Sequence, residues 1–174
     1  GDILTVGYTG SSFTDKNVGN AKTVTVSGIS ISGADAANYT QNTSTTTTAN
    51  ITAKALTVTV TASNKTYDRT TAASVTYADD RIAGDTLTVT GSPVYSDKTV
   101  GNAKTVTVTG ISISGADAAN YAQNTTATTT ANITAKALTV TVTASNKTYN
   151  GNTAASVTTS RRHPHRGVHR QLVH

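Results

Sequence analysis

From Leu56 to Thr61 apolar and polar side chains alternate strictly, with Leu56, Val58 and Val60 set against Thr57, Thr59 and Thr61. A period of two is the signature of a strand with one buried and one wet face. Ser74–Tyr77 is a shorter segment of the same kind, and Leu87 and Val89 alternate with Thr86, Thr88 and Thr90. In the longest run Val106 and Val108 hold one phase, and Ile111 and Ile113 take the opposite one. A single slip of phase at Gly110 predicts a β-bulge or a sharp strand bend, and the same text slips at Gly28. A Thr-rich stretch after Tyr121 that ends at Ile133 predicts one or two further strands. Turn signals lie at Tyr67-Asp68, Ala83-Gly84-Asp85, Gly91-Ser92-Pro93 and Gly101-Asn102. About seven short strands with frequent turns predict an all-β fold of small antiparallel Ig-like sandwich units, with β-grasp-like units as the alternative.

This pattern occurs more than once. Asp15–Tyr67 and Asp97–Tyr149 are the same 53-residue text, offset by 82 positions and differing at five pairs: Asn17/Thr99, Ser27/Thr109, Thr40/Ala122, Ser44/Thr126 and Thr45/Ala127. A period of this length corresponds to one small domain per repeat. With the boundary at the recurring Ile-Thr-Ala-Lys-Ala-Leu, residues 1–53 read as the truncated C-terminal part of a unit and 54–135 as a complete unit. Residues 136–160 read as the N-terminal part of a third unit, and 161–174 as a basic non-repeat tail that composition predicts to be disordered. Because Gly1 falls inside a repeat, the chain reads as a fragment of a longer one.

Composition removes several kinds of chemistry. The 174 residues include no Cys, Met or Trp, and the sequence holds no Glu. Disulfides, thiolate metal sites and thiol nucleophiles are therefore excluded. The formal charge of +5 is uneven, since residues 1–160 carry ten Lys and Arg against nine Asp, a net of +1. Nucleic-acid binding needs a basic face on the folded unit, and the repeat does not supply one. No apolar run reaches the ~18 residues of a membrane span. All four His lie beyond residue 160, and no nucleophile has a base partner, so the expectation is a protein that is not an enzyme and takes no cofactor.

Asp117, Ala119 and Tyr121 have the spacing Asp-x-Ala-x-Tyr, repeated at Asp35, Ala37 and Tyr39. The pattern is similar to the tyrosine corner of immunoglobulin-like domains, where a buried ring fills the core edge and its hydroxyl bonds back to the backbone.

Lys65-Thr66-Tyr67-Asp68 resembles the YDG-type repeat of large secreted bacterial haemagglutinin-like adhesins, together with the related MBG repeats. Gly84-Asp85-Thr86-Leu87, Asp97-Lys98-Thr99-Val100-Gly101-Asn102, Gly115-Ala116-Asp117-Ala118-Ala119-Asn120-Tyr121 and Ile133-Thr134-Ala135-Lys136-Ala137-Leu138 carry the resemblance onward, over essentially residues 1–160. The triplet that names the family reads Tyr67-Asp68-Arg69 in one copy and Tyr149-Asn150-Gly151 in the next. Arg at the usual glycine position argues against a tight left-handed turn at Arg69. The resemblance implies an extracellular segment at a bacterial cell surface, a stalk or spacer that projects a distal adhesive region. Its expected partners are other repeats of the same chain. The alternatives are a weak multivalent module for host or matrix glycans, and self-association with like chains into filaments or cell–cell contacts.

Candidate sites in the repeat read mainly as structural. Asp79, Asp80 and Asp85 around Ala83-Gly84 form a solvated turn more readily than a calcium site, and no metal ligand set is assigned. Tyr67, Tyr77, Tyr95 and Tyr121 could form an aromatic glycan platform, but such rings more often fill a core. Seven Asn-x-Ser/Thr sequons begin at Asn38, Asn42, Asn50, Asn64, Asn124, Asn132 and Asn146, as an Asn- and Thr-rich chain produces by composition.

After Thr158 the repeat stops abruptly, where Tyr77-Ala78-Asp79-Asp80 would have been copied. With suitable codons, a one-base shift lets the bases of Arg161–Gly167 encode Asp-Asp-Ile-Arg-Ile-Ala-Gly, close to the missing repeat text. The tail is therefore predicted to be repeat read out of frame. Sequencing the gene checks this, and codons unable to yield that peptide refute it.

Overall fold

The computed structural model describes residues 1–162. It is all-β, with fifteen strands and two three-residue 3-10 turns among the described residues. The strands are β1 (Thr5–Gly7), β2 (Gly10–Phe13), β3 (Gly19–Ser27), β4 (Ser30–Ser32), β5 (Ser44–Ile51), β6 (Lys54–Leu56), β7 (Val58–Ala62) and β8 (Lys65–Thr66). They continue with β9 (Val75–Asp79), β10 (Thr88–Tyr95), β11 (Gly101–Ser114), β12 (Tyr121–Gln123), β13 (Thr126–Thr134), β14 (Thr139–Ala144) and β15 (Val157–Arg162).

Residues 54–134 pair among themselves. A four-stranded sheet has the order β10-β11-β13-β8, antiparallel except for the parallel β13/β8 edge, while β7 and β9 form a separate antiparallel pair. Strand β6 runs parallel to β12, so the start of this segment is stitched to its end. The central strand β11 is 14 residues long and carries the fully buried Val106 and Val108. Leu56, Val58, Leu87, Val108, Ile111 and Tyr121 form one buried cluster, with Val60, Val75 and Tyr77 from the β7–β9 pair packed against it. Tyr95, Val106, Ala131 and Ile133 form a second, with Ala62, Tyr67, Ala73 and Val75 against it. The alternating Val and Ile side chains thus bury one face of the sheet beneath the β7–β9 pair, and the Thr face stays wet.

Two bulges shape β11. Between Thr90↔Ser112 and Ser92↔Thr109, Gly91 alone opposes Gly110 and Ile111. Gly110 takes φ 62°, and the extra residue turns Ile111 and Ile113 back to the face that holds Val106 and Val108. The phase slip in the sequence is therefore a device that keeps all four side chains on one core. The second bulge sets Asn102 and Ala103 against Asn132, with Ala103 at φ 49°. The Asn132 Oδ1 accepts the Ala103 amide at 2.8 Å, and Asn50 does the same for Ala21 at φ 49°. Gly91-Ser92-Pro93 and Gly101-Asn102, expected as turns, lie inside β10 and β11 instead. The bulges absorb their irregular backbone, and Pro93 is tolerated because β10 is the sheet edge.

Strands β1 to β5 repeat β10, β11 and β13 in pieces. β1 pairs β4, and β2-β3-β5 form a three-stranded sheet with the same bulge register. The break falls at Gly28, φ 64°, where β11 merely bends. Gly1-Asp2 aligns with Gly84-Asp85, one residue off the later 82-residue offset, so the first copy carries an inserted residue before Gly10. Without a counterpart of β6 to β9, the apolar face of this sheet is open, and Val24 and Val26 are only half-buried. Strands β14 and β15 pair as β7 and β9 do, with their Val side chains exposed. Backbone pairing carries β15 through Arg162, two residues into the segment expected to be disordered; the rest of that tail, 163–174, lies outside the described residues.

The two copies allow one substitution to be compared in two settings. Val108→Ala should cost the complete segment about 2 kcal/mol from lost burial and the residual cavity. The equivalent Val26→Ala should shift the same transition by less than ~0.5 kcal/mol, a surface-like value. Urea unfolding of both variants checks this, and equal losses would refute the assignment of the core.

Candidate functional site

The β8–β9 connection carries the Tyr67-Asp68-Arg69 triplet. The Tyr67 amide donates to the Thr134 carbonyl at 2.8 Å, and its ring packs on the second core cluster. The Asp68 Oδ1 accepts the Thr70 amide at 2.8 Å, the Thr70 hydroxyl at 2.9 Å and the Lys65 Nζ at 3.0 Å. These bonds, the Thr70 amide first, lower the Asp68 pKa to about 2. The Lys65 ammonium also donates to the carbonyls of Thr70 at 2.8 Å and Ala72 at 2.9 Å, and lies 5.2 Å from the Tyr95 ring centroid. Ser63, Asn64, Lys65, Asp68, Ala72, Ala73, Ser74 and Tyr95 line a cleft of about 260 Å³ there.

Arg69 sits at φ 73°, beside φ 74° for Gly151 in the next copy. The left-handed turn forms in spite of the side chain, because Lys65 and Asp68 bond across it and offset a strain of about 1–2 kcal/mol. Lys147 repeats the arrangement with Asn150 Oδ1 at 3.1 Å and the Asn152 carbonyl at 2.7 Å. Lys65 and Tyr95 were missed as a pair by the sequence reading. The spacing Lys65-x-x-Asp68 was a usable signal, whereas Tyr95 arrives from a distant strand.

A second cluster surrounds Tyr121, which is buried at the start of β12. Its hydroxyl donates to Asp85 Oδ2 at 2.6 Å and accepts the Ile82 amide at 3.0 Å. The Asp85 bond, and then burial, raise the Tyr121 pKa. Asp117 Oδ2 accepts the Thr86 amide at 2.9 Å. The hydroxyl reaches a backbone 39 residues away, not one a few residues upstream as in the tyrosine corner of an immunoglobulin-like domain. Ala119 and Ala37 are exposed, and it is Ala118 that touches the core. The first copy repeats the network: Tyr39 bonds Asp2, and Asp35 Oδ2 accepts the Ile3 amide at 2.8 Å, though Tyr39 itself is exposed.

The carboxylates expected near Gly84 are each held separately. Asp79, almost fully buried, pairs with Arg81 at 2.7 and 2.5 Å, which lowers its pKa. Asp80 accepts the Thr57 amide at 2.7 Å, and Asp85 holds Tyr121. Among the described residues no three acidic or imidazole groups converge as a metal ion would require. The sequon side chains are likewise engaged: Asn124 bonds both Val58 N and Val58 O, and Asn64 Oδ1 accepts the Asn132 amide at 2.7 Å.

Between the first two copies runs a polar joint. Lys16 Nζ lies 3.3 Å from Asp117 Oδ1 and 3.4 Å from Asp85 Oδ1. Asn120 Oδ1 accepts the Val18 amide at 2.9 Å, and its Nδ2 donates to Asn17 Oδ1 at 3.3 Å. Asp15 pins the carrying loop by accepting the Asn17 amide at 2.8 Å and pairing with Lys22. The covalent connection from β5 to β6 is only Thr52-Ala53.

An all-β chain whose side-chain networks recur copy by copy is a tandem repeat protein. The YDG domain matches residues 1–48 and again 52–131, and the chain belongs to that family. No curated protein and no solved structure matches it.

The Asp68 turn predicts a pH dependence of definite sign. A carboxylate with a lowered folded pKa contributes stability that is complete above the unfolded value, near 4, and is lost as pH falls towards about 2. Asp68→Asn should therefore be less stable than the parent at pH 7, with the two curves converging near pH 2. Parallel curves in pH-dependent unfolding would refute the assignment.

Proposed function

We infer that the chain is a structural stalk or spacer segment of a large bacterial surface adhesin, acting outside the cell and holding a distal adhesive region away from the surface. In this reading it is not an enzyme. Each unit is a small Ig-like β-sandwich in which the β7–β9 pair covers the β10-β11-β13 sheet. Residues 54–135 are a complete unit between parts at 1–53 and 136–160. The observation that carries the reading is the joint. A two-residue connection and the Lys16, Val18 and Asn120 contacts hold one copy against the next, as a spacer of fixed length per unit requires. The polar side chains described above are mostly spent on the protein's own backbone, which also suits a structural part. Small-angle scattering of chains with two, three and four complete units tests it. The maximum dimension should grow by a constant step per unit. A distribution that scales instead as a flexible chain would overturn the spacer reading.

One observation favours a second reading, a weak multivalent glycan-binding module. The cleft beside Lys65 joins an aromatic ring, a carboxylate, an ammonium and the Ser63, Asn64 and Ser74 side chains in about 260 Å³, a lining suited to a sugar hydroxyl array. A glycan array probed with two or more complete units discriminates. Binding abolished by Tyr95→Ala supports the module, and uniform silence favours the spacer.

A further inference from the structure

The large apolar side chains exposed in the first and third copies coincide with the core of the complete one. In the first copy Leu4 is 39% exposed where its counterpart Leu87 is 8%, and Tyr39 is 46% where Tyr121 is 7%. In the third, Leu138 is 54% and Val140 57% exposed, against 2% for both Leu56 and Val58. Phe13 and Val157 are exposed where Tyr95 is buried and Val75 half-buried. The two open faces are opposite halves of one core. Residues 1–53 correspond to 84–135, and residues 136–160 to 54–78, so together they supply all but a short loop of a unit.

We propose that the 174-residue chain assembles head to tail, the β14–β15 pair of one copy closing over the open β2-β3-β5 sheet of a second copy. Val140 and Val142 then take the places of Val58 and Val60 over Val24, Val26 and Ile29 of the partner copy. Lys136–Leu138 lies parallel to Tyr39–Gln41 in the register of Lys54–Leu56 on Tyr121–Gln123. Lys147–Thr148 adds beside Ile51–Thr52 as Lys65–Thr66 does beside Ile133–Thr134.

The polar joint supports the same geometry independently. The loop Asp97–Val100 of the complete copy is braced like its docked counterpart, with Asp97 Oδ1 accepting the Thr99 amide at 2.7 Å and pairing with Lys104. Among the described residues it meets no partner: Val100 is 52% exposed, and Lys98 makes no ion pair. Its receptor is also present and open, because Asp2, Asp35 and Asn38 stand where Asp85, Asp117 and Asn120 receive Lys16 and Val18. Closing the split unit brings Lys98 and Val100 of one copy onto that receptor in the next. Loop and receptor are different surfaces, so the contact is heterologous and propagates into an open chain or a ring.

This proposal rests on reading residues 1–53 and 136–160 as parts of one unit, and the test separates the two. Sedimentation of the full chain at rising concentration should give a series of species above the monomer. Val142→Asp blocks the donor and Leu4→Asp the acceptor, and each variant alone should remain monomeric. Their equimolar mixture should stop at a dimer, since each retains one good end. Val142 lies outside the complete unit, so an unchanged unfolding transition shows that loss of assembly is not loss of fold. A control chain with residues 54–83 placed ahead of Gly1 should protect the amides of β2 and β3 from exchange by completing the unit within one molecule. A monomeric parent with a protected control overturns the assembly and keeps the unit. A monomeric parent with an unprotected control overturns both. Assembly that survives both Asp substitutions overturns the proposal as well.

Discussion

The structure depends on covering one apolar face, that of the central strand β11. Val106 and Val108 are fully buried, and Ile111 is nearly so, only because the β7–β9 pair brings Val58, Val60, Val75 and Tyr77 across the sheet. A unit of this size has little other apolar surface to bury, with no Trp or Met and a single Phe in the chain. The same strand text in the first copy, lacking that cover, leaves Val24 and Val26 half-exposed. Burial here belongs to a pair of layers and not to a strand.

Around this core, polar side chains perform tasks that a longer chain assigns to extra secondary structure. Asn132 and Asn50 hold bulged alanines at positive φ, Asn124 clips Val58 at both its amide and its carbonyl, and Lys65 closes a turn around Asp68. Each is a side chain bonded to backbone, which satisfies groups that irregular strands leave without ladder partners. Their recurrence at equivalent positions in successive copies explains how near-identical text tolerates two bulges in its longest strand. Sequons and acidic pairs that suggest modification or cation binding when read in isolation acquire a structural use in this setting.

The Tyr121 corner joins folding to organisation along the array. Its hydroxyl fixes Asp85, Asp117 is fixed by Thr86, and the oxygens left over receive Lys16 of the preceding copy. A structural corner therefore doubles as the receptor of a joint, and the family-like text from Gly115 to Tyr121 serves both. The tyrosine spacing was visible in the sequence. The joint was not, because Lys16 and Asp117 are 101 positions apart and nothing local links them.

What the sequence determined by itself is what local periodicity and repetition encode. The strand character, the 82-residue recurrence, the phase slips at Gly28 and Gly110, and the absence of thiol chemistry were all legible, because each is a property of neighbouring residues or of composition. Tertiary structure decided which slips are bulges within one strand, and that Gly91-Ser92-Pro93 belongs to an edge strand. It also decided that Arg69 adopts a left-handed turn, and that Lys65, Asp68 and Tyr95 share a cleft. Those outcomes depend on partners brought from distant positions, whose bonds outweigh local preferences of about 1 kcal/mol. Identical sequence therefore forms a buried core in one copy and an open face in another.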